Sequence, residues 1–265
     1  MGAHAVTKQQ SGRGTAGKLL SAGAGRYDWN ARRKLWHGAG CLLMVAIFYL
    51  WKDVTWPMSG ANVLVCFAWA EAALALGIDV ARFRSPRQRR ALKRLPFYGK
   101  LMRPIEGNHF NATTYCSLAG AILITAFRLG WCAEATVVFS LAVLAVSDPA
   151  AAWTRHQLEQ RGWGAEKALG FLTFFASSFL VMCGINWWFG SGVAPAVLLC
   201  IGFIVALVES YTAHGVALVR PVTTYLHSRI AHRAAFWLSR FYPDDNLLIP
   251  LTVAFLASIL PQFPW

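Results

Sequence analysis

The chain has 265 residues, of which 56% are hydrophobic and only 14% charged, with a formal net charge of +13. A soluble core of this size has no need of long uncharged runs, so the composition excludes an ordinary soluble domain and predicts a polytopic membrane protein. In such a chain the basic excess belongs to loops held on the cytoplasmic face, and no nucleic-acid partner is expected.

Residues 1–30 are rich in Gly, Ala, Ser and basic side chains and contain no apolar h-region, which predicts a flexible basic cytosolic tail and not a cleaved signal. Within it, Gly12-Arg13-Gly14-Thr15-Ala16-Gly17-Lys18 fits G-x-G-x-x-G and most of a phosphate loop. No strand precedes it, Leu19 stands where a phosphate loop needs Ser or Thr, and no βαβ pattern follows, so the motif lacks the context that gives it meaning.

Residues 31–265 read as a single transmembrane, all-α domain. Apolar runs at about 35–51, 57–78, 112–130, 133–152, 168–189, 194–211 and 247–263 predict about seven helices, each of roughly 17–22 residues and long enough to span. Trp51, Trp56, Trp131, Trp163, Trp187 and Trp188 sit at or near the run ends, where interfacial tryptophans belong. The six cysteines lie in or beside these runs without C-x-x-C spacing and read as small core hydrophobes.

Loop charge sets the topology. Segment 79–106 carries Arg82, Arg84, Arg87, Arg89, Arg90, Lys93, Arg94, Lys100 and Arg103, while the alternate connections 52–56, 131–134 and 190–193 are short and carry one Lys between them. The positive-inside rule then places the amino terminus in the cytoplasm and the carboxyl terminus outside. Arg84–Arg94 reads as a solvated face touching anionic headgroups. Residues 214–240, with His214, His227 and His232 too loosely spaced for a metal cluster, read as an interfacial amphipathic helix. The sequon Asn111-Ala112-Thr113 falls on the cytoplasmic face and is predicted to stay unmodified.

The polar residues at the cytoplasmic helix ends form the candidate site. Arg33 and Lys34 enter helix 1 on the face of His37. Asp79 and Arg82 end helix 2, and Glu106 leads to Thr113 at the start of helix 3. Asp148 closes the uncharged stretch Ala135–Val146 and ends helix 4, Lys167 opens helix 5 and Glu209 ends helix 6. Asp244-Asp245-Asn246 opens helix 7, with Pro250 one turn in. A carboxylate as near to hydrocarbon as Asp148 costs roughly 2.5–3.5 kcal/mol at a helix centre, and is kept only if it snorkels, pairs or does chemistry. Bundled together, these ends gather cations for phosphates and carboxylates able to hold Mg²⁺, the equipment of phosphoryl transfer. Plainer readings compete: Arg33 and Lys34 as topology signals, Asp148 as a helix end reaching water, and Asp244 or Asp245 as a helix cap. Glu71 is intramembrane and either pairs with another helix or lines a lipid pocket.

The ordered set resembles the family of integral-membrane lipid kinases that includes dolichol kinase, phytol kinase and the CTP-dependent diacylglycerol kinase. Arg33-Lys34-Leu35-Trp36-His37 is similar to its R-K-x-x-H element, and Glu106 with Asn111-Ala112-Thr113-Thr114-Tyr115 to E-x(4)-G-A-T-Y. Ser147-Asp148-Pro149-Ala150-Ala151-Ala152 is similar to G-D-A-A-A, with Ser for Gly and Pro for Ala. Lys167-Ala168-Leu169-Gly170 keeps little of K-S-x-E-G-S beyond the Lys, and lacks its Glu. Leu207-Val208-Glu209 and Asp245-Asn246-Leu247-Leu248-Ile249-Pro250 are similar to the closing E and D-N-L-x-x-P elements.

The resemblance implies transfer of the γ-phosphoryl group of CTP, or another nucleoside triphosphate, to the hydroxyl of a membrane lipid alcohol. It implies Asp148 as the central carboxylate, holding Mg²⁺ or orienting the hydroxyl. Arg33, Lys34 and Lys167 would neutralise the triphosphate beside His37, while Asp245, Asn246 and Glu209 would complete the metal or nucleotide site, with Glu106, Thr113 and Asp244 in support. The expected membrane is a bacterial inner membrane or the endoplasmic reticulum. Two other readings stand beside it. A phosphatidate cytidylyltransferase would also use CTP at membrane-level carboxylates, but its closing stretch rich in Lys-Asp, His-Gly-Gly and Asp-Arg is missing. A transporter or scaffold would carry helix breaks and polar residues at mid-depth.

Overall fold

The computed structural model describes residues 30–55, 58–95, 109–214 and 244–262. Among them the chain is all-helical: α1 Ala31–Trp51, α2 Gly60–Arg84, α3 Pro86–Arg94, α4 Ala112–Arg128, α5 Glu134–Gln160, α6 Glu166–Phe189, α7 Pro195–His214 and α8 Asp245–Ile259, closed by the 3-10 turn Leu260–Gln262. The Gly12–Lys18 motif, Lys100, Arg103, Glu106 and the stretch with His227 and His232 lie outside the described residues.

Local chemistry fixes the helix starts. Asn30 caps α1 by accepting from the Arg33 N–H at 3.1 Å, and Ser85 caps α3 with Pro86 in the first position, where a missing N–H costs nothing. Asn111, the sequon residue, is buried and caps α4, accepting from the Thr113 N–H at 3.0 Å. α6 stops at Gly190, whose positive φ supplies the left-handed residue of a helix end.

Five helices, α1, α2, α5, α6 and α7, are long and apolar enough to cross a membrane. The other two predicted runs form α4, of 17 residues, and α8, of 15. At 1.5 Å per residue these rise only about 22–26 Å, short of a hydrocarbon core of roughly 30 Å.

α5 is the central pillar. Its most apolar window is 83% buried, against 22% for α1's neighbour α2 and for α6. It packs against α6, α1 and α8, while α4 joins the bundle mainly through α2 and α8. A helix apolar on every side is one that other helices enclose. The outer helices turn Leu43, Phe67, Leu180 and Phe255 outward, as a hydrocarbon surrounding requires.

The helix carrying Asp148 does not end there, contrary to the reading from sequence. α5 runs through Pro149 to Gln160, because a proline deletes one ladder bond and Ala150, Ala151 and Ala152 are strong helix formers. The bond that Pro149 cannot make is the one to the Ala145 carbonyl. Gly38 of α1 crosses at that point, so closely that a Cβ there would lie 2.9 Å from the Ala145 oxygen. This crossing brings the start of α1 onto the Asp148 turn.

Candidate functional site

Three side chains of α1 face inward at its first turns. Arg33, Lys34 and His37 are all buried. Lys34 Nζ donates to both oxygens of Asp148, at 2.5 and 2.6 Å, with the two side chains only 7% and 5% exposed. Taking a lysine and an aspartate out of water costs several kcal/mol per ion, and a buried pair rarely repays more than it costs. Stability alone is therefore a poor account of why the pair is there.

Seven residues beyond Asp148, two turns along the same face of α5, stands Arg155. Its guanidinium forms a two-pronged pair with Glu209 of α7, Nη1 and Nη2 each donating at 2.6 Å. Bidentate geometry of this kind is the strongest form of the arginine–carboxylate contact. Gly170 on α6 leaves the space for it: a Cβ at Gly170 would fall 2.4 Å from Arg155 Nε and 2.5 Å from its Cγ. Gly170 is thus a packing requirement of the Arg155 side chain.

A third buried pair fastens α2 to the start of α4. Asp79 pairs with Arg82 at 2.8 Å and accepts from the Asn111 N–H at 2.7 Å and the Thr114 hydroxyl at 2.8 Å. Arg82 in turn donates to the His109 carbonyl at 2.6 Å and lies over the Phe83 ring. The Asp79 lone pairs are so fully engaged that this cluster reads as a clamp.

The start of α8 closes the site. Asp244 and Asp245 both accept from the Asn246 N–H, at 2.9 and 3.0 Å, and both accept from its side-chain amide. Asn246 is buried and its Oδ1 has no hydrogen-bond partner among the described residues. Pro250, four residues on, lacks the N–H that would bond the Asn246 carbonyl. Glu209 lies within Coulombic range of both Asp148 and Asp245, so the carboxylates of α5, α7 and α8 converge at one end of the bundle.

Of the residues predicted from sequence, Arg33, Lys34, His37, Asp148, Glu209, Asp244, Asp245 and Asn246 all lie at this polar end. Lys167 does not join the buried set, being exposed on the first turn of α6. Thr113 is half-buried on the wall of an apolar cavity that His37 also lines. Arg155 was missed by the sequence reading, although its spacing from Asp148 and its isolation after a long uncharged run were the signals. Glu71 does pair: it accepts from the Ser117 hydroxyl of α4 at 2.9 Å.

Among the described residues no three His, Cys, Asp or Glu side chains are grouped so as to hold a metal ion by themselves. Asp148 and Glu209, two of the expected ligands, are each held by a cation. The oxygens at the start of α8 are the Asn246 Oδ1, without a hydrogen-bond partner among the described residues, and the Asp245 carboxylate that accepts from Asn246. Such a set fits Mg²⁺, which is commonly held by one or two carboxylates together with substrate phosphates and waters. Comparison of the chain with protein-family models, with curated proteins and with solved structures finds no match.

Proposed function

We propose that this chain is an integral-membrane lipid kinase, moving the γ-phosphoryl group of CTP to the hydroxyl of a lipid alcohol at the cytoplasmic face. The observation that carries this reading is the buried Lys34–Asp148 pair, set beside Arg33, His37, the Arg155–Glu209 pair and the oxygen-rich start of α8. Loop charge supports the orientation, since α3 presents its Arg and Lys side chains without burying any residue and suits a leaflet of anionic headgroups.

The chemistry follows from what each group can exchange. An arriving triphosphate competes with Asp148 for Lys34, because a phosphate oxygen is an equally good partner for the ammonium. When Lys34 turns to the phosphates, with Arg33 and His37 beside it, the Asp148 carboxylate is released to accept the proton of the lipid hydroxyl. That oxygen then attacks the γ-phosphorus, the bond to the β-phosphate oxygen breaks, and CDP leaves. Phosphoryl transfer asks little more of a protein than this positioning and charge neutralisation. Mg²⁺ held near Asp245 and Asn246 would neutralise phosphate charge when bound. Arg155 keeps Glu209 from repelling the incoming phosphates, which makes it a positioning residue. The low dielectric of the site strengthens each of these contacts.

The test is purified protein in detergent with γ-labelled CTP, Mg²⁺ and a panel of lipid alcohols, followed by chromatography. The reading expects labelled lipid phosphate and CDP in equal amounts. Release of pyrophosphate with phosphatidate would instead identify a cytidylyltransferase. Transfer to no alcohol would leave the charges to a transporter or scaffold.

A further inference from the structure

Cys41 of α1 and Cys116 of α4 are both buried, and their sulfurs stand 3.3 Å apart as free thiols. The two lie 75 positions apart in sequence, so the contact is made by the packing of the helices. Among the described residues no other two cysteines share a hydrogen bond. Converting the contact to a disulfide brings the sulfurs to about 2 Å, a closure of about 1.3 Å that small rotations of the two side chains can supply.

The two sulfurs differ in access. Cys116 lines the apolar cavity between α1, α2 and α4, whereas Cys41 does not and is 0% exposed. Leu43 and Phe67 line the same cavity and are 60% and 56% exposed, so it opens sideways, where a bilayer would place hydrocarbon. An oxidant that reaches Cys116 by this route is carried on a lipid chain, since the charged thiol reagents of the cytosol are poorly soluble in hydrocarbon. The same exclusion shields the product from the glutathione that keeps cytosolic thiols reduced.

We propose that Cys41 and Cys116 are a redox modification site, closed to a disulfide by a lipid hydroperoxide. The Cys116 sulfur attacks the terminal peroxide oxygen, the O–O bond breaks, and the lipid oxygen leaves with the thiol proton as an alcohol. Cys116 is then a sulfenic acid. The Cys41 sulfur attacks it, the S–O bond breaks, and the hydroxyl leaves as water with the Cys41 proton. Together the two sulfurs lose two electrons, and the hydroperoxide gains them. Cys41 is thus the resolving thiol, already in place where the sulfenic acid forms. The product staples α4 to α1, the helix that carries Lys34 and His37, and it needs nothing from the lipid-kinase chemistry.

The experiment uses the full-length protein, purified under reductant and reconstituted in saturated phosphatidylcholine vesicles, with a fatty-acid hydroperoxide added to the bilayer. Peptides are mapped by mass spectrometry, and dimedone in parallel samples traps sulfenic acid. Wild type should yield one dominant linked pair, Cys41 with Cys116. Its melting temperature should rise, because the bond closes a long loop of the unfolded chain. Cys41→Ala removes the resolving thiol and should raise the dimedone adduct at Cys116 by at least about tenfold. Cys116→Ala should leave Cys41 unmodified, and oxidised glutathione in the buffer should link neither. Cys66 and Cys200, both exposed, report unselective oxidation in the same samples. Three results overturn the proposal: oxidation of Cys66 and Cys200 with the pair left reduced, a link already complete before hydroperoxide is added, or an equal yield from oxidised glutathione.

Discussion

The two ends of the bundle treat their charges in opposite ways. Where α1 begins, Lys34 meets Asp148 out of solvent, with Arg155 and Glu209 buried close by. Where α1 ends, Lys52, whose side chain is 11% exposed, pairs with Glu134 at 3.0 Å and with Asp53, which is 80% exposed. Water reaches the carboxylates of the second end and can take over when Lys52 is lost. At the first it cannot, so each charge there depends on its partner or on a ligand that substitutes for it. Charge held at a loss is the mark of a site, whereas charge held in water is the mark of a rim.

Breaking a buried pair is therefore where this contrast shows most strongly. Arg155→Met strands the Glu209 carboxylate and should lower stability by about 3–5 kcal/mol, while Arg155→Met with Glu209→Leu should regain most of it. Thermal unfolding in detergent measures both, and an unrecovered double variant would mean that Arg155 supports the fold in another way. Smaller effects come from the spaces that let helices reach their partners. Gly170→Ala drives a methyl into the Arg155 side chain and should cost about 1–3 kcal/mol, and Gly38→Ala, against the Ala145 carbonyl, should fall in the same range.

The opposite end sets the lower limit. Lys52→Met should change stability by no more than about 1 kcal/mol, because the carboxylates it leaves behind are reached by water. The Lys52 ammonium is held above its ordinary pKa, chiefly by the hydrogen bond to Asp53, against a smaller opposing effect of burial and with help from Glu134. A raised folded-state value means the contribution is complete below the unfolded lysine value of about 10.4 and is lost as pH rises through the folded one. A melting-temperature series across that alkaline window should decline in wild type and lose this component in Lys52→Met.

Much of the bundle was legible in the chain. Each of the seven apolar runs forms a helix among the described residues because uncharged length is a strong signal, but only five of these are long and apolar enough to cross a membrane; the residues flanking them gathered at one end because antiparallel helices bring alternate ends together. The end of the Asp148 helix was misread because the uncharged run closes there. The three alanines after Pro149 carry the helix on, and a glycine on α1, distant in sequence, packs over that turn. Ion partners were illegible for the same reason. Nothing local to Lys34 names Asp148, and nothing near Arg155 names Glu209. Gly170 shows the limit most clearly, since its role is to be absent from a space that an arginine of another helix fills.

The Lys34–Asp148 pair is the centre of the account, and one double variant separates its two roles. Lys34→Met with Asp148→Leu replaces a buried ion pair by apolar groups of similar size, a change that is commonly neutral or stabilising. Melting temperature should thus stay at or above wild type. Turnover of γ-labelled CTP into lipid phosphate, per folded molecule, should fall by at least about 100-fold, the scale of a positioned acid–base or electrostatic group. A double variant that folds as well as wild type and keeps more than a tenth of its turnover would contradict the assignment of this pair to the reaction.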